Sequence, residues 1–267
     1  MLTKNEFKKE RYSLEDLRDI VKILREPGGC PWDAEQTHTS VRKDLLEEAY
    51  EVADAIDLND SDALCEELGD LLLQVVFHSQ IAADEKEFTL DDVADGICKK
   101  LILRHPHDFG DTVAETAEQF LTNWDAIKRD EKSQKTYTDT LESVPRAFPA
   151  LMRAEKVQKR ASKAGYDWDS AEVAFEKLPE EIEEFREALA YEDKTAMEEE
   201  FGDILFSAVN VARLCKINAE AALASSTDKF MSRFKAAEQK ILQSGRDMKE
   251  LSPQELDAVW NEVKAEI

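Results

Sequence analysis

Glycine and proline are scarce, at 8 and 7 of 267 residues, while charged residues reach 35%. That balance is the profile of a helical protein. Cysteines number four (Cys30, Cys65, Cys98 and Cys215) and form no Cys-x-x-Cys pair. Their scatter argues against a zinc site or disulfides and predicts small buried hydrophobes in a reducing cytosol. The first residues lack an apolar core of signal-peptide length, and no apolar run approaches a membrane span. A cytoplasmic protein with no membrane partner is the expectation. Positive charge is also short: 35 Lys and Arg face 59 Asp and Glu, for a net charge of −24. A phosphate backbone would be repelled, so no nucleic-acid partner is expected. A small phosphorylated molecule stays admissible, because divalent cations reverse the local sign. No Gly-x-x-x-x-Gly-Lys loop is present to cradle phosphates.

What the chain has is acid in a pattern. Glu181 and Glu184 lie three residues apart, and Glu200 and Asp203 repeat the spacing. Positions i and i+3 share a helix face. Tyr191-Glu192-Asp193 reads as the turn of an antiparallel helical hairpin. Glu184 and Glu200 flank Glu192 at equal distance, as do Glu181 and Asp203. The four acids are therefore predicted to face one another, roughly 12 Å from the turn. Converging carboxylates repel unless a cation sits among them, and an all-oxygen donor set suits Mg²⁺ or Mn²⁺. The same device stands earlier, where Glu48, Glu51, Glu67 and Asp70 are disposed in the same way about Asn59.

Periodicity predicts helices from Leu14 to Leu24, stopped by Pro27-Gly28-Gly29, and again from near Thr39–Ser40. Residues 1–12 read as a loose arm and Cys30-Pro31-Trp32-Asp33 as a turn. The apolar run Leu71–Phe77 reads as helix because the acids before it are helically spaced. Thr89 with Asp92 forms a helix-start box. The polar stretch 131–149, with Pro145 and Pro149, is the predicted linker, and Leu151–Arg160 is a basic amphipathic helix.

The second half repeats the first. Trp32 and Trp168 are 136 apart, as are Trp124 and Trp260; the four acids are offset by 133. Lys100 and Arg104 match Lys229 and Arg233 at an offset of 129, and Lys128 matches Lys264. The expectation is an all-α protein of two tandem helical-bundle repeats, 1–130 and 150–267. Lys229 and Arg233, four apart on one face, are spaced to reach phosphate oxygens, although a solvated basic face has the same spacing. Trp260 with Lys264 can stack a base and touch a phosphate; core packing is the plainer reading of Trp260. Gly69 and Gly202 would let backbone or substrate approach, or serve a helix crossing. For His105 and His107 a structural role is expected, and for His78 a core or interface role.

The sequence resembles the MazG nucleoside triphosphate pyrophosphohydrolases of the all-α NTP pyrophosphatase superfamily over nearly its whole length. The resemblance rests on Gly28-Gly29-Cys30-Pro31-Trp32-Asp33, both Glu-Glu-x-x-Glu motifs, Glu67-Leu68-Gly69-Asp70, Arg104-His105-Pro106-His107, Pro149-Ala150-Leu151 and Gly165-Tyr166-Asp167-Trp168. It implies Mg²⁺-dependent cleavage of the α–β phosphoanhydride of NTPs and dNTPs, a cytoplasmic homodimer, and clearance of unwanted nucleotides. It implies a catalytic centre in the second repeat, with Glu181, Glu184, Glu200 and Asp203 as metal ligands. Lys177, Lys229, Arg233 and Trp260, with Lys264, would hold the nucleotide, and Glu180 or another nearby acid would orient water. Glu48, Glu51, Glu67, Asp70, Lys100 and Arg104 would form a second site. Pro179, just before the Glu pair, is harmless only in the first helical turn.

Two other readings fit part of the pattern. A ferritin-like di-iron protein also has inward acids, but it wants Glu-x-x-His, and both hairpins end in Glu-x-x-Asp. A non-catalytic nucleotide- or partner-binding helical protein would require both repeats to have lost chemistry while keeping their acids.

Overall fold

The computed structural model describes residues 8–110, 127, 131 and 134–266. Among them the chain is helical and contains no strand, as its composition predicts. Trp124 and Lys128 lie outside the described residues. The chain divides into two compact units, Met1–Lys128 and Arg129–Ile267.

The first unit contains α1 (Leu14–Arg25), α2 (Pro31–Glu35), α3 (Arg42–Asp57), α4 (Ser61–Asp84), α5 (Leu90–Arg104) and α6 (Pro106–Phe109). Helix α1 opens on a capping box between Ser13 and Asp16. It is preceded by an exposed segment. Cys30–Asp33 does more than turn, because Pro31 at the first helical position starts the short α2. Helix α3 begins at Arg42 rather than near Thr39, because Thr37 and Ser40 use their hydroxyls to accept from each other's backbone N–H. The tight loop they form delays the helix. The Thr89–Asp92 box caps α5 as predicted. The apolar run of α4 delivers Val76, Phe77 and Ile81 to a core with Val21 and Val41, flanked by Leu17, Leu73 and Leu90. Burying such side chains contributes about 1.5–3 kcal/mol each.

The second unit contains α7 (Tyr137–Glu142), α8 (Ala150–Ser162), α9 (Ala171–Phe175), α10 (Lys177–Ala190), α11 (Lys194–Leu214), α12 (Ala219–Gln243), a 3₁₀ turn (Met248–Glu250) and α13 (Pro253–Glu266). Helix α7 falls within 131–149, so this stretch is not a featureless linker. A Thr136–Asp139 capping box starts it, and Arg160 of α8 donates to the Thr140 carbonyl and to Ser143. Val144 is buried beside it. Helices α8, α9 and α12 pack on α11, and α13 packs on α12. The buried apolar residues here are Val144, Ala174, Ala188, Val209, Ala237, Ile241 and Val263, smaller on average than those of the first core.

The cysteines depart from expectation. None is in a disulfide, but Cys65, Cys98 and Cys215 are exposed and only Cys30 is half-buried. They sit on helix faces and ends that no other described element covers.

Candidate active site in two acidic helical hairpins

Each unit holds one helical hairpin, α3–α4 and α10–α11, and the two turns match residue for residue. Asn59 and Glu192, the centres of symmetry of the acidic pattern, both adopt left-handed backbone with φ 54. Asp60 and Asp193 follow as N-caps, each accepting from two backbone N–H groups of the next helix. Pro179 is the third residue of α10. Its missing N–H belongs to the first turn, where no intrahelical partner exists, so the register of Glu181 and Glu184 is undisturbed.

The hairpin geometry brings together Glu181, Glu184 and Glu200, which offer carboxylate oxygens within 4.8 Å of one another. Glu48, Glu51 and Glu67 do the same in the first unit. Asp203 and Asp70 stand beside these triads rather than in them. They remain near enough to act electrostatically: Asp203 helps to raise Glu200 and Asp70 helps to raise Glu48. Glu181 is buried, Glu200 half-buried and Glu184 exposed. A cation entering from the open side therefore meets a graded set of oxygens. Partial desolvation, followed by Glu181 and Glu200, pushes the Glu184 carboxyl above its ordinary value. Glu48 and Glu67 are raised by the same causes. Mutual repulsion of this kind is relieved by a divalent cation, and the all-carboxylate donor set fits Mg²⁺ or Mn²⁺. The histidines of Glu-x-x-His are absent from both triads, which removes the di-iron reading.

The two cages differ in the charge that stands before the first glutamate. Lys177, at the first position of α10, places its ammonium 2.7 Å from Glu180 and 3.3 Å from Glu181. Its hydrogen bonds to Glu180 and then Glu181 push it up to about 12. The matching residue of α3 is Asp44, whose partner is its neighbour Lys43 at 3.3 Å.

The other predicted residues lie elsewhere on the helices. Lys229 is exposed and Arg233 half-buried on α12; the buried Arg233 Nε has no hydrogen-bond partner among the described residues. No ion pair joins either cation to the described carboxylates. Trp260 on α13 is half-buried against Phe230, with ring centroids 5.2 Å apart, so α12 and α13 hold its indole; Lys264 is exposed. On α5, Lys100 is exposed and Arg104 buried. A Cβ at Gly69 or Gly202 would meet nothing within 4 Å, so neither glycine serves a helix crossing within the chain. His105 donates from its Nδ1 to the Leu101 carbonyl at the end of α5, 2.7 Å away, which is a structural role.

Sequence reading missed the braces of this framework. Arg25 donates to Asp84 at 2.9 Å and to the Asp33 carbonyl at 2.6 Å, fixing the Trp32 segment to α4. Arg213 of α11 grips Asp167 with both terminal nitrogens and so fixes the Trp168 segment.

Fold and site together define a class: an all-α protein built from two acidic helical hairpins, each with a carboxylate triad. A model of the MazG nucleotide pyrophosphohydrolase domain matches residues 36–109 and 170–237, one segment per hairpin. A nucleoside triphosphate pyrophosphohydrolase/pyrophosphatase MazG of Thermotoga maritima is 44% identical over 250 residues, covering 94% of this chain and 95% of that protein. A nucleoside triphosphate pyrophosphohydrolase of Escherichia coli K12 is 42% identical over 254 residues, covering 94% of this chain and 97% of that one. One from Mycobacterium tuberculosis is 47% identical over 155 residues, covering 57% and 46%. The chain belongs to the MazG nucleotide pyrophosphohydrolase family and is an enzyme of that class.

Proposed function

We propose that this chain cleaves the α–β phosphoanhydride of nucleoside and deoxynucleoside triphosphates, releasing a monophosphate and pyrophosphate, and so clears unwanted nucleotides from the cytoplasm. The observation that carries the reading is the triad of Glu181, Glu184 and Glu200 in the second hairpin, with Lys177 beside it. Asp203 completes the acid set as a further ligand. Bound there, Mg²⁺, or Mn²⁺ in its place, supplies neutralisation of the triphosphate and activation of water.

The chain's own groups do the rest. Glu181, buried and held by Lys177, keeps one carboxylate fixed while the more exposed Glu184 adapts. Glu180, 2.7 Å from the same ammonium, is placed to orient water and accept its proton. Lys229 and Arg233 are cations without acidic partners among the described residues, available to stabilise charge on the departing pyrophosphate. Trp260 offers a face to the base, and Lys264, one turn on, offers a donor.

A homodimer is part of the proposal. Leu68 and Leu72 of α4, and their counterparts Phe201 and Leu205 of α11, are 41–51% exposed. Apolar rows left uncovered at the same positions in both units fit a second copy of the chain better than solvent.

The test is incubation with a panel of NTPs and Mg²⁺, with products followed by ³¹P NMR. Monophosphate and pyrophosphate should appear, a chelator should stop the reaction, and the same sample should sediment at twice 30.4 kDa. Release of orthophosphate alone would refute the cleavage position, and turnover in chelator would refute the metal.

A further inference from the structure

A third cluster of ligating groups lies outside both cages. His38, in the segment between α2 and α3, meets Glu85 and Glu87 from the turn after α4. Their ligand atoms all lie within 4.8 Å of one another. No hydrogen bond or ion pair joins the three, so they surround a point without bonding each other.

Glu85 and Glu87 stand on either side of Lys86, whose left-handed backbone (φ 64) ends α4. Carboxylates at the negative end of a helix are disfavoured unless a cation is near. The turn itself does not ask for them. The second unit ends α11 with the same device, Lys216 at φ 59, closed by the same pattern of backbone bonds. There the flanking residues are Cys215 and Ile217. The acids are thus an addition of the first repeat alone, and His38 comes with them.

The histidine is also held as a metal ligand is held. His38 Nδ1 lies 2.8 Å from His78 Nδ1, with the rings stacked at an interplanar angle of 4°. With Nδ1 committed to that partner, the nitrogen left for an ion is Nε2. A second-sphere hydrogen bond of this kind fixes ring orientation, and with His38 Nδ1–H as the donor Nε2 keeps its lone pair for an ion. His78 is itself anchored in α4, next to the core residue Phe77, and its buried Nε2 has no partner among the described residues.

We propose that His38, Glu85 and Glu87 form a divalent-metal site of the Zn²⁺ type, which pins the segment before α3 to the turn after α4. One imidazole and two carboxylates neutralise a dication and suit Zn²⁺, in contrast to the all-oxygen cages. The site is independent of nucleotide hydrolysis.

The test is calorimetric titration of the full chain with Zn²⁺, in millimolar Mg²⁺ to occupy the carboxylate cages. Wild type, His38→Gln, Glu87→Gln and the Glu85→Gln/Glu87→Gln pair are compared. Wild type should take up one Zn²⁺ that Mg²⁺ does not displace. Each single variant should bind it at least about tenfold more weakly, and the pair should not bind it. Co²⁺ loaded under the same conditions should give a visible absorption band that His38→Gln removes. Thermal melts should show Zn²⁺ raising the melting temperature of wild type but not of the variants. Glu87 is exposed, so its variant serves if His38→Gln misfolds. Absence of Mg²⁺-resistant Zn²⁺ uptake by wild type, or equal uptake by Glu87→Gln, would overturn the proposal.

Discussion

The α3–α4 and α10–α11 hairpins are nearly the same object built twice. Their turns share a left-handed residue and an aspartate cap, and their triads share spacing and span. The contrast in charge lies in what stands one helical turn before the first glutamate. In the second hairpin it is Lys177, bonded to Glu180 and Glu181; in the first it is Asp44. A cage of three carboxylates is a general cation trap. One flanked by an ammonium also offers a donor to a polyanion, whereas one flanked by a further acid repels it. Among the described residues, an ammonium stands one helical turn before the first glutamate in the second hairpin and not in the first.

The most direct way to break the comparison is to give the second cage the first one's charge. Lys177→Asp should lower kcat/KM for ATP by about a hundredfold, the loss of one charge-assisted contact plus a new repulsion. Most of that loss should fall on KM, with helix content by circular dichroism unchanged. An unaltered KM would mean that Lys177 serves Glu181 alone.

A smaller effect sharpens the electrostatic side. Glu48, Glu67, Glu184 and Glu200 all sit above their ordinary value of 4.5, first through desolvation and then through neighbouring carboxylates: Asp70, Glu51, Glu181 and Asp203 respectively. A raised folded-state pKa means that the folded chain binds the proton more tightly than the unfolded chain. The associated stability is present below pH 4.5 and is lost as pH rises through the raised values. Metal-free protein should therefore lose a degree or more of melting temperature to these groups as pH climbs above 4.5. Mg²⁺ should restore it, increasingly with pH. Glu184→Gln should flatten the metal-free slope, and an unchanged slope would contradict the assignment.

Much of this site was legible because helices report their geometry in sequence. Spacing of three placed each glutamate pair on one face, and symmetry about Asn59 and Glu192 set the register. The same logic found the Thr89–Asp92 cap. Asp203 and Asp70 follow the same register and stand beside the triads, close enough to raise Glu200 and Glu48. Helix α7 was hidden by its polar surroundings, although Thr136 and Asp139 carry a helix-start signal. The braces Arg25–Asp84 and Arg213–Asp167, and the His38–His78 stack, span 40 to 59 residues. No periodicity encodes contacts of that separation; they follow only once the helices are packed. Exposure of Cys65 and Cys98 was unforeseeable for the same reason, since burial depends on which faces find a neighbour.

We propose that the second triad carries turnover while the first is scaffold, assembly surface or a weaker nucleotide site. Steady-state hydrolysis by Glu181→Gln and Glu48→Gln, each verified as folded and of wild-type assembly state, tests it most directly. Each change removes one negative charge with little change of shape. Glu181→Gln should reduce kcat by at least about a hundredfold, and Glu48→Gln should stay within about threefold of wild type. An inactive Glu48→Gln beside an active Glu181→Gln would reverse the roles, and half activity in both would make the two hairpins equal partners.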